Sequence, residues 1–212
     1  MIHFTCSSCG RKFHVPNKYA GKKATCNTCK ANVVVPMSTD ISAYARPLAS
    51  SAKLPVRMRR LVADLYQMHE SFDHNRLIRL MQATGEPAEV YKIEFNIRGV
   101  EVVKNKEPVL RTQHVAEIRL GSEYPRLAPI CKMLTPIFHP NIDPSMICVG
   151  DHWVAGERLT DLVVRIGQMI AYQAYNVKSP LNAEAAMWAD LNPETLPIDS
   201  RDLYPAMLEH SV

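Results

Sequence analysis

The stretch His139-Pro140-Asn141-Ile142-Asp143-Pro144-Ser145-Met146-Ile147-Cys148 joins a rigid His-Pro-Asn turn, a side-chain amide and a lone thiol. An amide donor close to a thiolate is what acyl transfer through a thioester requires. Before this stretch come Tyr124-Pro125 and Ala128-Pro129. After it come Trp153, Leu159-Thr160 and Ser179-Pro180-Leu181-Asn182, with Ala185-Ala186 and Trp188 closing the region.

The apolar periodicity on either side defines the scaffold. Tyr91-Lys92-Ile93-Glu94-Phe95-Asn96-Ile97-Arg98 alternates strictly, which predicts a strand with one buried face. Leu77 to Met81, Val115 to Leu120 and Ile130 to Leu134 supply further strands, with loops at Gly85-Glu86-Pro87 and at Asn105 to Pro108. A four-stranded antiparallel meander is therefore expected. Ahead of it, Pro55 suits a first helical turn. Leu61, Leu65, Met68 and Phe72 then recur at helical spacing, ending near Asp73-His74-Asn75. Leu159, Leu162, Val163, Ile166, Met169 and Ile170 form a second helical stripe, and Ala183 to Ala189 a shorter third.

This order of elements, with the quoted motifs in sequence, resembles the ubiquitin-conjugating enzyme family from Pro55 to Trp188. The resemblance implies an α+β fold: an N-terminal helix, a four-stranded antiparallel meander and C-terminal helices. It also implies a transferase. Cys148 would accept ubiquitin or a ubiquitin-like modifier from an activating enzyme as a thioester and pass it to an amine on a protein substrate. Asn141 would hold the loop, stabilise the oxyanion formed when the amine attacks, or both. Ser179 stands where the family has Asp or Ser beside the incoming lysine, and a plain turn residue before Pro180 is the other reading. His139, followed directly by proline, is expected to fix the turn through its ring rather than to act as a base. Asp151 and His152 are close enough in sequence to Cys148 to help position an amine.

Cys131 is the internal control, since it falls inside a strand and reads as packing. No histidine or acid is paired with Cys148 in the sequence, which suits a carrier thiol better than a hydrolase triad. Trp153 and Trp188 are expected to be structural. The interval from His139 to Cys148 is about one residue shorter than is usual in the family, so the loop presenting the thiol must differ. Arg126 and Val154-Ala155-Gly156 stand where eukaryotic members receive a RING-type ligase, so a conventional RING partner is not expected.

The amino-terminal segment, residues 1–36, is different in kind. Cys6-x-x-Cys9 and Cys26-x-x-Cys29 have the spacing of a two-knuckle zinc site, and four thiolates leave no open coordination position. A structural zinc is expected, holding a zinc ribbon of two short hairpins, Phe13-His14-Val15-Pro16 and Val33-Val34-Val35-Pro36 each ending one. His3 and His14 are read as ordinary surface or packing residues. The segment carries Arg11, Lys12, Lys18, Lys22, Lys23 and Lys30 and no acid. The zinc-tetrathiolate centre lowers that charge to about +4. Nucleic acid is one possible partner for this surface, and a solvated or protein-docking face is the other.

Residues 37–54, rich in Ser, Ala and Pro, read as a flexible linker, leaving 55–212 as the conjugating domain. Of 212 residues, 47% are hydrophobic, enough for one sizeable core and a small module. The start lacks a signal-peptide pattern and no apolar run spans a membrane, so a cytoplasmic protein with no membrane partner is expected. A zinc ribbon in front of such a domain is foreign to typical eukaryotic members and points to a bacterial version. Two rival readings are a non-catalytic scaffold binding ubiquitin-like proteins and a zinc-ribbon nucleic-acid-binding protein.

Overall fold

The computed structural model describes residues 2–6, 8–15, 22–35, 54–149 and 153–205. Four antiparallel strands form the central sheet: β5 (Ile78–Gly85), β6 (Ala88–Phe95), β9 (His114–Arg119) and β10 (Ile130–Met133), neighbours in that order. The expected meander is present, with ends displaced by a few residues. Tyr91 stands opposite Ile118, Ile93 opposite Ala116 and Phe95 opposite His114, and these side chains all face the core. The alternate positions Lys92, Glu94 and Glu117 carry the charges of the other face, where Arg79 bonds Glu94 and Lys132 approaches Glu117.

Between the second and third strands lies an element the sequence did not announce, a hairpin of β7 (Gly99–Lys104) and β8 (Glu107–Arg111). Asn105 and Lys106 turn it, both in the left-handed region. The loop expected from Asn105 to Pro108 is thus a two-residue turn, with Glu107 and Pro108 already in a strand.

Helices α1 (Val56–Phe72) and α2 (Leu159–Ile170) cover the inner face of the sheet. Pro55 is the residue before α1, and Leu61, Met68 and Phe72 are fully buried. Most of α2 is buried, because it lies between the sheet and the C-terminal segment. At Gly167 an added Cβ would stand 3.1 Å from Leu203 Cδ1 and 3.4 Å from Phe95, a fit so close that Leu203 would have to give by a few tenths of an ångström.

Polar groups fasten the core's edges. Arg60 Nε donates to both oxygens of buried Asp64 at 2.9 Å, and Tyr124 Oη donates to Asp64 at 2.6 Å. Arg60 also donates to the Ala155 carbonyl at 2.9 Å and to that of Glu157, tying α1 to the segment before α2. At the C-terminal end, Asp199 accepts from the Arg98 backbone at 2.8 Å and from Arg201 Nε at 2.9 Å.

In the amino-terminal segment, β1 (Ile2–Thr5) pairs with β2 (Lys12–Val15), and β3 (Lys23–Thr25) with β4 (Asn32–Val34). These are the two expected hairpins. The side chains of His3 and His14, and the linker 37–53, lie outside the described residues; Leu54 is exposed. No described helix is long and apolar enough to cross a membrane.

Candidate functional site

Cys148 is held by a hairpin smaller than any the sequence suggested. Two-residue strands β11 (Ile142–Asp143) and β12 (Met146–Ile147) pair antiparallel, and the Asp143 carboxylate accepts from the Ser145 backbone at 2.9 Å and its hydroxyl at 2.6 Å. The ladder continues outward, so that the Cys148 amide donates to the Asn141 carbonyl at 3.0 Å. The short interval from His139 to Cys148 is thus taken up by a tight turn that leaves Asn141 and Cys148 opposite each other. The thiol is half-buried. Cys131, by contrast, is buried, and desolvation pushes its thiol up to about 12, the behaviour of a packing cysteine.

The His139-Pro140-Asn141 turn is bound along its length to the chain that follows α2. The Asn141 carboxamide donates to the Asn176 carbonyl at 2.9 Å and the Ser179 carbonyl at 3.4 Å, and accepts from the Asn176 amide at 2.6 Å. The Pro140 carbonyl accepts from the Leu181 and Asn182 amides at 2.8 and 3.0 Å. His139 Nδ1 accepts from the Asn141 amide at 3.1 Å, which fixes its proton on Nε2, donated to the Ala174 carbonyl at 3.2 Å. Both ring nitrogens are thereby used, and burial pulls His139 down to about 3.

Ser179 is exposed, and its carbonyl meets the Asn141 amide. Asn182 then caps α3 (Ala183–Leu191), its side chain accepting from the Ala185 amide at 3.0 Å. The structure therefore brings His139, Asn141, Cys148 and Ser179 together. Asp151 and His152 lie outside the described residues. Trp153 donates from its indole to the Pro125 carbonyl at 2.8 Å, and Trp188 packs on Phe138 and Tyr172. Both are structural, as expected.

Two contributors went unread in the sequence. The Asn176 backbone supplies both an acceptor and a donor to the Asn141 carboxamide, and the Tyr172 hydroxyl donates to the Phe138 carbonyl at 2.7 Å while its ring stands edge-on to His139 at 4.9 Å. An asparagine shortly before Ser-Pro was the available signal for the first. Tyrosine occupies a position where glycine is usual, so pattern offered none for the second.

At the other site, the Cys6–Cys29 and Cys9–Cys26 sulfurs are each 3.7 Å apart, and all four lie within 4.8 Å of one another. That is far beyond a disulfide. It is close to the edge of about 3.8 Å that a tetrahedron of metal–sulfur bonds near 2.3 Å requires. The Cys29 amide helps lower Cys26 to about 6. Although the Ala31 amide favours the Cys29 thiolate, burial and the neighbouring sulfurs push Cys29 up to about 12. Four thiolates cannot coexist here without a cation, so the donor set fits a metal ion. Phe4 and Phe13 stack on each other at 5.2 Å and pack against Cys6, Cys26 and Val33. They are spent on the knuckle and are not open platforms for nucleic-acid bases, so that expectation gains no support.

Residues 79–196, more than half of the chain, match the family model described as ubiquitin-conjugating enzyme. The chain belongs to this family. Similar solved structures include one titled novel ubiquitin-conjugating enzyme, at 21% identity over 64% of this chain and 86% of that one, TM-score 0.47. S. cerevisiae Ubc12 matches at 23% identity over 71% and 80%, TM-score 0.47. The E2 domain of a Toxoplasma gondii ubiquitin conjugating enzyme matches at 18% over 65% and 89%, TM-score 0.47.

Proposed function

We propose that this protein carries ubiquitin or a ubiquitin-like modifier as a thioester on Cys148. The observation behind this is the placement of the thiol: half-exposed, with its own amide bonded to Asn141 of a turn whose polar groups are bonded to the return chain. The Cys148 thiolate attacks the modifier's carbonyl in the activating enzyme's thioester, forming one C–S bond and releasing the enzyme's thiolate. An acceptor amine on a protein substrate then attacks the same carbon. A C–N bond forms, the C–S bond breaks, the amine loses its proton to solvent and Cys148 is regenerated.

Asn141 holds the loop through the bonds described. Its longer bond, to the Ser179 carbonyl, is the one an oxyanion would replace. Ser179 borders the path of the amine, and His139 only braces the turn. The four amino-terminal cysteines hold a structural zinc, making residues 1–36 a separate ribbon on the 37–54 tether. The test uses the full chain with activating enzyme, its ubiquitin-like modifier and ATP. Wild type should give an adduct released by reductant, Cys148→Ser one that resists it, and Cys148→Ala none. Equal adducts on wild type and Cys148→Ala would sink the proposal.

A further inference from the structure

Tyr172 occupies a backbone conformation that its residue type disfavours. It follows the C-cap of α2, with φ of 55°. The Tyr172 amide bonds the Met169 carbonyl and the Gln173 amide bonds that of Gln168, both at 2.9 Å. This is the helix ending that glycine makes without strain. The other described non-glycine residues at positive φ, Lys30, Asn105 and Lys106, are exposed, whereas Tyr172 is 1% exposed. A bulky residue held there points to its side chain as the reason.

That side chain reaches the start of the His139 turn. Phe138 donates its amide to the Val100 carbonyl at 2.7 Å, and its own carbonyl receives the Tyr172 hydroxyl at 2.7 Å. The ring closes a satellite core with Val100, Phe138, Ala185 and Ala189, with His139 on its edge. Tyr172 thus anchors the turn's entry as Asn141 anchors its exit. We infer that Tyr172 is a positioning residue for transfer from Cys148, acting through Phe138 and His139 on the place of Asn141; this rests on the carrier role proposed above.

Tyr172→Phe keeps the ring and removes only the hydroxyl, and Tyr172→Gly relieves the backbone while removing the ring. In the full chain, Tyr172→Phe should lower amide-exchange protection at Asn176 and Cys148 about tenfold, the scale of one buried hydrogen bond, leaving β6 and β9 unchanged. Tyr172→Gly should lower it further. In discharge of the loaded protein to free lysine, Tyr172→Phe should reduce the maximal rate about tenfold at unchanged half-saturation. Added to Asn141→Ala it should slow discharge no further, because the tyrosine acts through that residue. Unchanged protection at Asn176 and Cys148, or a loss shared equally by β6, would overturn the inference, as would additive losses with Asn141→Ala. Exchange needs no modifier, so a chain that never loads defeats the carrier proposal while the exchange result still decides Tyr172.

Discussion

Two small satellites of this molecule border its candidate sites, and they are held in opposite ways. In one, Cys6, Cys26 and Val33 with Phe4 and Phe13 form a cluster too small to stand alone, around sulfurs that repel one another as thiolates. In the other, Val100, Phe138, Tyr172, Ala185 and Ala189 form a cluster of similar scale, beside which the Phe138 and Pro140 carbonyls, the His139 ring and the Asn141 carboxamide find partners in residues 172–182. The first set is incomplete without a cation. The second is closed, so the turn beside Cys148 is set by bonds within the chain itself.

Metal removal tests this difference most severely. Stripping the sulfurs with a chelator should cost the ribbon on the order of 10 kcal/mol and unfold it. The β1–β4 amide signals should collapse to random-coil positions while the unfolding transition of the sheet domain stays where it was. Cys26→Ser should reproduce the result. A metal-free ribbon that kept its hairpins would erase the contrast, since it would show that the apolar cluster suffices.

The two satellites were also unequally legible. Metal-ligand spacing is local, so Cys6, Cys9, Cys26 and Cys29 could be grouped from sequence alone. The sheet was readable because Tyr91, Ile93 and Phe95 alternate against Ile118, Ala116 and His114. The turn was only half readable. His139, Asn141, Cys148 and Ser179 stood out by residue type, but Asn176 and Tyr172 join them across some thirty-five positions, through bonds between side chain and backbone that no periodicity encodes. The β7–β8 hairpin was missed because Val100, Val102 and Val103 blur its alternation and Pro108 reads as a loop.

Acid should discriminate next. His139 is held neutral down to about 3, and His114, buried beneath Gly99 with its Nε2 on the Arg111 carbonyl, down to about 4. Their folded values lie below the ordinary one near 6.5, so the unfolded chain takes up protons first. Stability is whole above about pH 6.5 and falls by about 1.4 kcal/mol per pH unit for each histidine as pH drops towards 4. Urea midpoints taken from pH 7 to pH 4.5 should show this slope, and His139→Gln should remove one histidine's share of it. An unchanged slope would mean that the ring is not buried as described and the closed set is open to water.

Ser179→Ala should have the smallest effect, and it isolates side chain from backbone. Among the described residues Ser179 joins the closed set only through its carbonyl, which alanine keeps, so stability should change by less than about 0.5 kcal/mol. Loading of Cys148 should be unaltered for the same reason. If the hydroxyl borders the path of the amine, discharge to free lysine should still slow, with stability and loading intact. Discharge at the wild-type rate would reduce Ser179 to a turn residue whose carbonyl alone matters. The functional contribution of the return chain would then reside in the Asn176 backbone, which holds Asn141, and in buried Tyr172, which holds the start of its turn.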